Sequence, residues 1–585
     1  MPRRLLHAKG HDRKRSLGWI ATWWIETFVV HGRGGAQGSR IQYGDEYTGF
    51  IVDCYAHDAA GKRFYNSAFF SRPKGTDKSG LAAALVLFEA FGPARFAGWA
   101  KGGETYEFLG QTYEYAPGEP MGKPVKSPTV KIMATEEGQT GNVFDNIYYN
   151  LTDENAPLYA LKAAYGVDAG KTRVLIPHNG GTITPSTAGA ASKDGGLETF
   201  AVFDETHLYE TPTLRAMYAT VVRNLSKRRA EGTWFIETTT MYEPGAESVA
   251  EDTYFLADQI EAGKARRPRL LFDHRWADIE TLDKIKVPDP TKRGGKRVET
   301  EDEYIARLTA AFYESFGDAI AWNDPEGMLD DLFDTRRAEE DTIRYFFNAV
   351  VAGKNAWMKL ADWSKIGLQQ LLSDAKAAGE KLGFRPPMRG DEIALGFDGS
   401  LNSDATVLIG CRISDGYVFP IGIWEAPDSK EAKHWQVDHQ EVEAVLADTF
   451  KKFKVVAFLA DPPHWRDYVD RWETKYGPEL VVKATEAKPI AFETNQHNVM
   501  AKVIERTDTA IKSGELRHGN HKVLTRHVLN AHRWKRTGGD VIGKDRKGSS
   551  KKMDAAIGMC LAVEGRARYR KQFKPQSTAV PRRVR

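Results

Sequence analysis

Short apolar runs rich in β-branched and aromatic residues alternate with helix-like stretches between about residues 45 and 240. Phe64–Ser71, Val130–Ala134, Phe200–Asp204 and Trp234–Glu237 lack the in-out alternation of half-exposed strands. They read instead as strands buried on both faces of a parallel sheet. Leu81–Phe91 is apolar on most faces and predicts a helix buried against that sheet. Strands and helices in alternation predict a doubly wound α/β domain. From about 300 to 385 the pattern turns helical and acidic, ending at Gly383-Phe-Arg-Pro-Pro-Met-Arg-Gly390, which reads as a linker. Beyond it come three strand-like runs, Glu392–Asp398, Thr406–Ile413 and Tyr417–Trp424. A helix over Val437–Phe453 and a strand over Val455–Asp461 follow. The chain after Arg566 has no core pattern and reads as a flexible tail. The expected organisation is a basic segment over 1–40, an α/β domain over 41–300 and a helical segment over 301–390. A second α/β domain over 391–565 and the tail over 566–585 complete it.

With 585 residues, 41% hydrophobic and 28% charged, the chain has a globular composition, which excludes collagen-like, mucin-like and mainly disordered classes. No apolar run approaches the ~20 residues that cross a bilayer, so no membrane partner is expected. Met1-Pro-Arg-Arg is not followed by a long apolar core, which argues against a signal peptide. Cys54, Cys411 and Cys560 lie too far apart for a metal knuckle, and their sparse, odd count suits a reducing compartment. The formal charge is 82 − 79 = +3, but it averages unlike regions. Residues 1–16 carry six Lys/Arg against one Asp, 512–552 twelve against three acids, and 566–585 eight against none. Acids collect between Asp324 and Asp341. Local patches, more than net charge, set attraction to nucleic acid.

Two stretches carry recognisable chemistry. The first strand runs into Ser71-Arg-Pro-Lys-Gly-Thr-Asp-Lys-Ser79 and then a helix, the context a phosphate-cradling loop requires. Gly75 supplies the loop glycine, Lys78 reaches phosphate oxygens, and Ser79 is placed to ligate Mg²⁺. Asp77, where such loops usually have glycine, puts a carboxylate beside Lys78; Asp tolerates the positive φ that the position demands. Phe200–Phe203 ends in Asp204 and Glu205, a pairing that suits one metal-holding acid and one water-polarising acid. Trp234–Glu237 ends in the hydroxyls of Thr238, Thr239 and Thr240, suited to sensing a γ-phosphate.

The other stretch is a set of aspartates. Asp398 and Asp461 end strands and Asp554 opens a helix, so all three can converge. Unpaired, they repel and raise one another's pKa; divalent ions relieve this and can activate water for phosphodiester cleavage. Asp404, across a turn from Asp398, is an auxiliary ligand in this reading. The basic stretch 512–552 leads into Asp554. Its His518, His521, His527 and His532 fit no common zinc spacing and read as surface or phosphate-contacting residues.

The ordered set Ser71–Ser79, Val202-Phe-Asp-Glu205, Glu237–Thr240, Gly396-Phe-Asp-Gly399, Asp461-Pro-Pro and Lys552-Met-Asp-Ala555 resembles the large terminase subunit of tailed bacteriophages, over about residues 40 to 565. Tyr345-Phe-Phe-Asn348 with Trp357 resembles that family's junction segment. The resemblance implies an N-terminal P-loop NTPase domain, built on a mostly parallel sheet with a catalytic Glu at a strand end, followed by a C-terminal RNase H-like nuclease domain. It implies ATP and Mg²⁺ at Lys78, Ser79 and Asp204, Glu205 as catalytic base, and Thr238–Thr240 coupling hydrolysis to movement. Arg72 is the in-loop candidate for an arginine finger. Asp398, Asp461 and Asp554 would carry two Mg²⁺ or Mn²⁺ ions. The implied partners are double-stranded DNA, a portal protein, a small terminase subunit and four further copies in a ring of five. The implied setting is the host cytoplasm, transiently on the procapsid portal and not in the mature virion. Two other readings stay open at this point: a helicase or recombination-type ATPase–nuclease without a capsid role, and a catalytically silent DNA-binding scaffold.

Overall fold

The computed structural model describes residues 2–135, 137–186, 195–266, 268–279, 281–291, 294–334, 339–350, 356–400, 404–426, 435–544 and 551–572. The chain divides into two compact units, Met1–Val351 and Ala352–Arg585.

In the first unit, six strands run parallel in the order Leu270–Arg275, Ser67–Ser71, Trp234–Thr239, Phe200–Asp204, Thr129–Met133 and Gly181–Ser186. Their apolar, β-branched sequences have nowhere to go but a sheet covered on both faces. Arg3–Leu6 closes one edge antiparallel; Arg173–Ile176 and Asp168–Gly170 close the other. The Lys78–Phe91 helix buries every residue except Ser79, as its all-round apolar pattern predicts. Its one buried acid, Glu89, accepts from Tyr55 Oη (2.9 Å), Arg95 Nη1 (2.7 Å) and Trp234 Nε1 (2.7 Å), so no bare charge faces the core. Between this helix and Thr129–Met133 two small antiparallel hairpins intervene, Arg95–Trp99 with Pro120–Lys123 and Thr105–Phe108 with Gln111–Glu114.

The basic N-terminus is not a loose segment. Arg3 pairs with Asp273, Arg4 with Asp258 and Glu261, and the Asp53 carboxylate gathers Arg13, His7 and His11. The cluster at 1–16 that looked like a patch is largely neutralised inside its own unit, because acids distant in sequence meet it in the fold.

The segment 301–390 divides between the units. Glu301–Phe316, Pro325–Leu332 and Glu339–Phe347 belong to the first, where Phe312, Phe316 and Phe347 join its core. Leu360–Lys365 and Leu368–Ala377 belong to the second, where Trp363 stacks on His518 at 3.9 Å and donates to Thr525 Oγ1 at 3.0 Å. The division falls within the resembling Tyr345–Trp357 junction, not at the Pro/Gly stretch.

In the second unit the five-stranded sheet runs Lys454–Ala460, Glu392–Asp398, Thr406–Arg412, Tyr417–Trp424, Arg517–His518. The first pair is parallel, the next two antiparallel and the last parallel. Asp554–Gln572 lies across it; the supposed tail therefore begins as the end of a helix with Arg566 buried, and 573–585 lie outside the described residues. Gly396 fixes how close that helix comes. A Cβ there would sit 2.0 Å from Gly558 O and 2.6 Å from Ala562 N, so only glycine allows the approach.

Candidate functional sites

Parallel strands deliver their carboxyl ends to one edge, and helices start there with unpaired N–H groups. At that edge of the first unit lies a cleft of about 1120 Å³. Lys74–Ser79, Glu205 and His207 line it, with the glycine-rich loop His31–Gly35, Gln42, Tyr43, Trp322 and Tyr345. Gly75 takes φ +81° and Asp77 φ +55°, so the loop has the left-handed turns that a phosphate cradle needs. Lys78 is buried and donates from Nζ to Pro73 O at 2.8 Å; burial depresses its pKa while Glu205 and Asp204 hold it up. Ser79 Oγ donates to Asp204 Oδ2 at 2.8 Å, and Thr238 Oγ1 to Asp204 Oδ1 at 2.7 Å. The loop, the acid strand and the threonine strand thus meet at one carboxylate. Burial and Glu205 push Asp204 upward; Lys78 and His207 hold Glu205 down against its own burial, in the ionised form a base requires.

Thr239 accepts from His207 N at 3.0 Å and donates to Thr240 O at 2.9 Å, and its own carbonyl receives Arg72 N at 3.1 Å. Thr239 and Thr240 are buried beneath the cleft, the Thr240 hydroxyl without a hydrogen-bond partner among the described residues. Arg72, like Asp204, Thr239 and Thr240, does not line the cleft, and its side chain turns elsewhere. It is fully buried, paired with Glu46 (2.5 Å) and Asp273 (3.0 Å) and stacked over Phe70. The guanidinium turns into the protein because two buried carboxylates await it there.

Sequence reasoning missed His207, the His31–Gly35 loop and the aromatic wall. His207 Nδ1 lies 3.1 Å from both Glu205 Oε2 and Thr239 Oγ1. Its signal was its place two residues after Glu205. Gly32, Gly34 and Gly35 form a visible glycine cluster, but Trp322 and Tyr345 come from a segment assigned outside the domain.

In the second unit Asp398, Asp461 and Asp554 converge as their strand and helix ends predict. Side chains two apart on a strand share a face, so Asp398 lies on the side of Gly396, against which the Asp554–Gln572 helix packs. The Asp461 N–H donates to Phe397 O at 3.0 Å, carrying its strand end alongside. Burial, then Asp554, Asp461 and Asp404, push Asp398 well above the carboxylate range; burial and Asp404 raise Asp554, and burial raises Asp461. Asp461 accepts from Thr494 N (3.1 Å) and Oγ1 (2.6 Å), Asp554 from Ala405 N (3.1 Å), and Asp404 pairs with Lys544.

Two of the four histidines are corrected. His518 is buried under Trp363, with its pKa lowered to about 4 by that burial. His527 is also buried; its Nδ1 accepts from Ala555 N at 2.9 Å while Nε2 meets Glu425 at 2.6 Å, so it braces the start of the Asp554 helix. Neither faces phosphate.

A nucleotide-type cleft in one unit and a carboxylate cluster in the next define an ATPase joined to a nuclease. The terminase large subunit ATPase domain family matches residues 120–255, and the terminase large subunit endonuclease domain family residues 341–570. The Gene 13 protein of Mycobacterium phage L5 is 30% identical over 545 residues, spanning 92% of this chain and 86% of its own. The Gene 13 protein of Mycobacterium phage D29 is 28% identical over 586 residues, spanning 95% and 92%. The crystal structure of the HK97 bacteriophage large terminase aligns over 94% of this chain and 99% of its own, with 16% identity and a TM-score of 0.43. The chain belongs to the large terminase subunits of phages, with an ATPase and a nuclease domain, and its function is packaging and cutting of viral DNA. Among the described residues no helix is long and apolar enough to cross a membrane.

Proposed function

We propose that the first unit's cleft binds and hydrolyses ATP to drive double-stranded DNA into a procapsid, and that the Asp398 cluster cuts the DNA. The observation that carries the ATPase half is the Ser79–Asp204–Thr238 hydrogen-bonded chain, which reaches the cleft at Ser79. A hydroxyl and a carboxylate raised by burial form a hard-oxygen donor pair short of positive charge, which suits Mg²⁺. Ser79 and Asp204 would hold that ion beside bound ATP, where it would supply positive charge to the transferring phosphoryl group. Lys78 and the loop N–H groups hold phosphate oxygens; Glu205, kept ionised by Lys78 and His207, accepts a proton from the attacking water. Thr239 ties His207, and through it Glu205, to the strand that runs back through the sheet.

Asp398, Asp461 and Asp554, with Asp404 beside them, present oxygens that repel one another until cations arrive, a donor set suited to Mg²⁺ or Mn²⁺ and poorly to softer metals. Two such ions would activate water and stabilise the leaving oxygen of a phosphodiester. Thr494 and the Ala405 N–H orient Asp461 and Asp554 for that task. The proposal extends to a portal protein and a small terminase subunit as partners, and to a ring of five copies docked on the procapsid. It places the protein in the host cytoplasm and outside the mature virion.

The test is ATP turnover and plasmid cutting with Mn²⁺ by wild type, Lys78→Ala and Asp554→Ala. Lys78→Ala should lose turnover and Asp554→Ala should lose cutting alone. Retained cutting in Asp554→Ala would remove the nuclease assignment. ATPase stimulation by forked DNA but not by portal or procapsid would favour a helicase instead.

A further inference from the structure

The opposite end of the same sheet holds a second concavity, about 930 Å³, that no part of the ATPase chemistry uses. It is built at the amino ends of the strands: Lys62 precedes Ser67–Ser71, Lys126 precedes Thr129–Met133, Arg228 and Arg229 precede Trp234–Thr239, and Arg269 precedes Leu270–Arg275. Lys123 comes from the hairpin inserted after the Lys78–Phe91 helix. Eight Lys and Arg side chains line the basin against one carboxylate, Glu231. That carboxylate is already paired with Arg228 at 2.6 Å, and Arg95 with the buried Glu89 at 2.7 Å. Arg269 donates only to the carbonyls of Phe64 and Arg63, with Asp58 acting on it at longer range, and Arg229 to Ser226 Oγ. Lys62, Lys123 and Lys126 are exposed and, among the described residues, in no ion pair. The surplus charge is felt locally: burial and then Arg229 depress Arg269, and burial with Arg63 and Arg95 lowers His57 to about 3.

We infer that this basin is a binding site for the phosphodiester backbone of double-stranded DNA. It rests on the DNA-motor reading above, which supplies the polyanion. Arg63 and Arg95 turn inward, to backbone carbonyls and Glu89. Four separate chain segments, at Lys62, Lys123–Lys126, Arg228–Arg229 and Arg269, still bring cations to one concavity. Such contacts hold phosphate without reading sequence, as a sliding substrate requires. Strands of five or six residues hold it roughly 17–20 Å from the phosphate loop, so DNA here would not obstruct ATP.

Binding and crosslinking use the full chain in EDTA, so that no cutting occurs, and basal ATP turnover is read separately in Mg²⁺ without DNA. Ala230→Cys, exposed on the basin wall, is labelled with an azidophenacyl photocrosslinker; the native cysteines described, Cys54, Cys411 and Cys560, are all buried. Ala230→Cys should crosslink a labelled duplex, whereas Glu154→Cys, exposed elsewhere on the unit, should not. Adding Lys123→Glu and Lys126→Glu should abolish the crosslink and lower the log–log salt slope of duplex binding by about 2, with basal ATP turnover and melting unchanged. No crosslink from a chain that still binds DNA and turns over ATP overturns the basin alone. Preferential crosslinking to polyglutamate over duplex overturns it in favour of an acidic partner. A wild type that neither binds DNA nor hydrolyses ATP overturns the motor reading itself.

Discussion

Gly80 should accept a side chain without loss only once the Asp77 carboxylate is gone. Asp77 sits at φ +55°, ψ +34° immediately before the Lys78–Phe91 helix, and its carboxylate folds over the first turn. A Cβ on Gly80 would lie 2.2 Å from Oδ1 and 2.5 Å from Oδ2, well inside contact distance. Gly80→Ala must therefore swing the carboxylate away, losing its place at the helix N-terminus (about 1 kcal/mol) and its approach to His31 at 3.8 Å. The gain from Ala over Gly in a helix is at most about 1 kcal/mol, so the single variant should fall below wild type by up to ~1 kcal/mol. Asp77→Gly loses the same N-terminal interaction but relieves a left-handed residue, at a comparable ~1 kcal/mol, and should be near neutral. With the carboxylate gone, an alanine in place of Gly80 keeps its helix gain. The double variant should then exceed the sum of the singles by about 1 kcal/mol, the carboxylate interaction that both singles lose and the double loses once, read as the coupling term of a double-mutant cycle. The assay is thermal melting, with the two units' transitions fitted separately. Asp77→Gly should also tighten ATP binding on the order of fivefold, since a charge ~8 Å from a phosphate at an effective dielectric of ~40 costs about 1 kcal/mol. A coupling term near zero would refute the contact argument; weaker ATP binding would refute the electrostatic one.

Three further outcomes follow from buried charge. Asp398→Asn should end cutting and, without divalent ions, raise the second unit's melting point at pH 8. A carboxyl raised in the folded state costs stability once pH passes its unfolded value of 3.8, so the gain should vanish near pH 4, and equal gains at both pH values would contradict it. Glu237, pushed up to about 7 by burial from 4.5, should cost the first unit up to ~3 kcal/mol as pH rises from about 4.5 to 7. Glu237→Gln should flatten that slope in melting scans, and an unchanged slope would place the titration elsewhere. Arg72→Met leaves Asp273 with Arg3 alone and Glu46 with Arg275 alone and should destabilise by about 3 kcal/mol, while the folded fraction still hydrolyses ATP. A variant that melts normally yet has lost turnover would restore Arg72 to the phosphates.

Strand positions were legible wherever burial on both faces left a continuous apolar run. Phe200–Asp204, Glu392–Asp398 and Tyr417–Trp424 fall on the residues expected, and Trp234–Thr239 merely extends two residues further. Residues at strand ends were legible for the same reason, because topology then places Asp204, Asp398 and Asp461. What the sequence hid depends on partners far away along the chain. Nothing near Arg72 announces that Glu46 and Asp273 will surround it, and nothing near His527 announces Glu425 and Ala555. A side chain's direction is set by the contacts the fold supplies, whereas the strand beneath it is set by local pattern.

Charge behaves in the same way, in both directions. The dense run at 1–16 is the most conspicuous basic feature of the N-terminal half, yet Arg3, Arg4 and Arg13 meet acids from residues 53 to 273 and offer little to a polyanion. The basin's cations are scattered between residues 62 and 269, and even the short basic runs at Lys227–Arg229 and Lys264–Arg269 do not announce that they will meet Lys62, Lys123 and Lys126. The fold collects most of them because Lys62, Lys126, Arg228, Arg229 and Arg269 stand before strands of one parallel sheet, and parallel strands share their amino ends as surely as their carboxyl ends. Arg95 and Lys123 join from the inserted hairpin. A sheet that gathers the nucleotide loop at one edge must gather the residues preceding its strands at the other. In a motor that holds ATP at one edge and DNA at the other, two edges separated by the length of a strand would keep one polyanion from competing for the cations of the other.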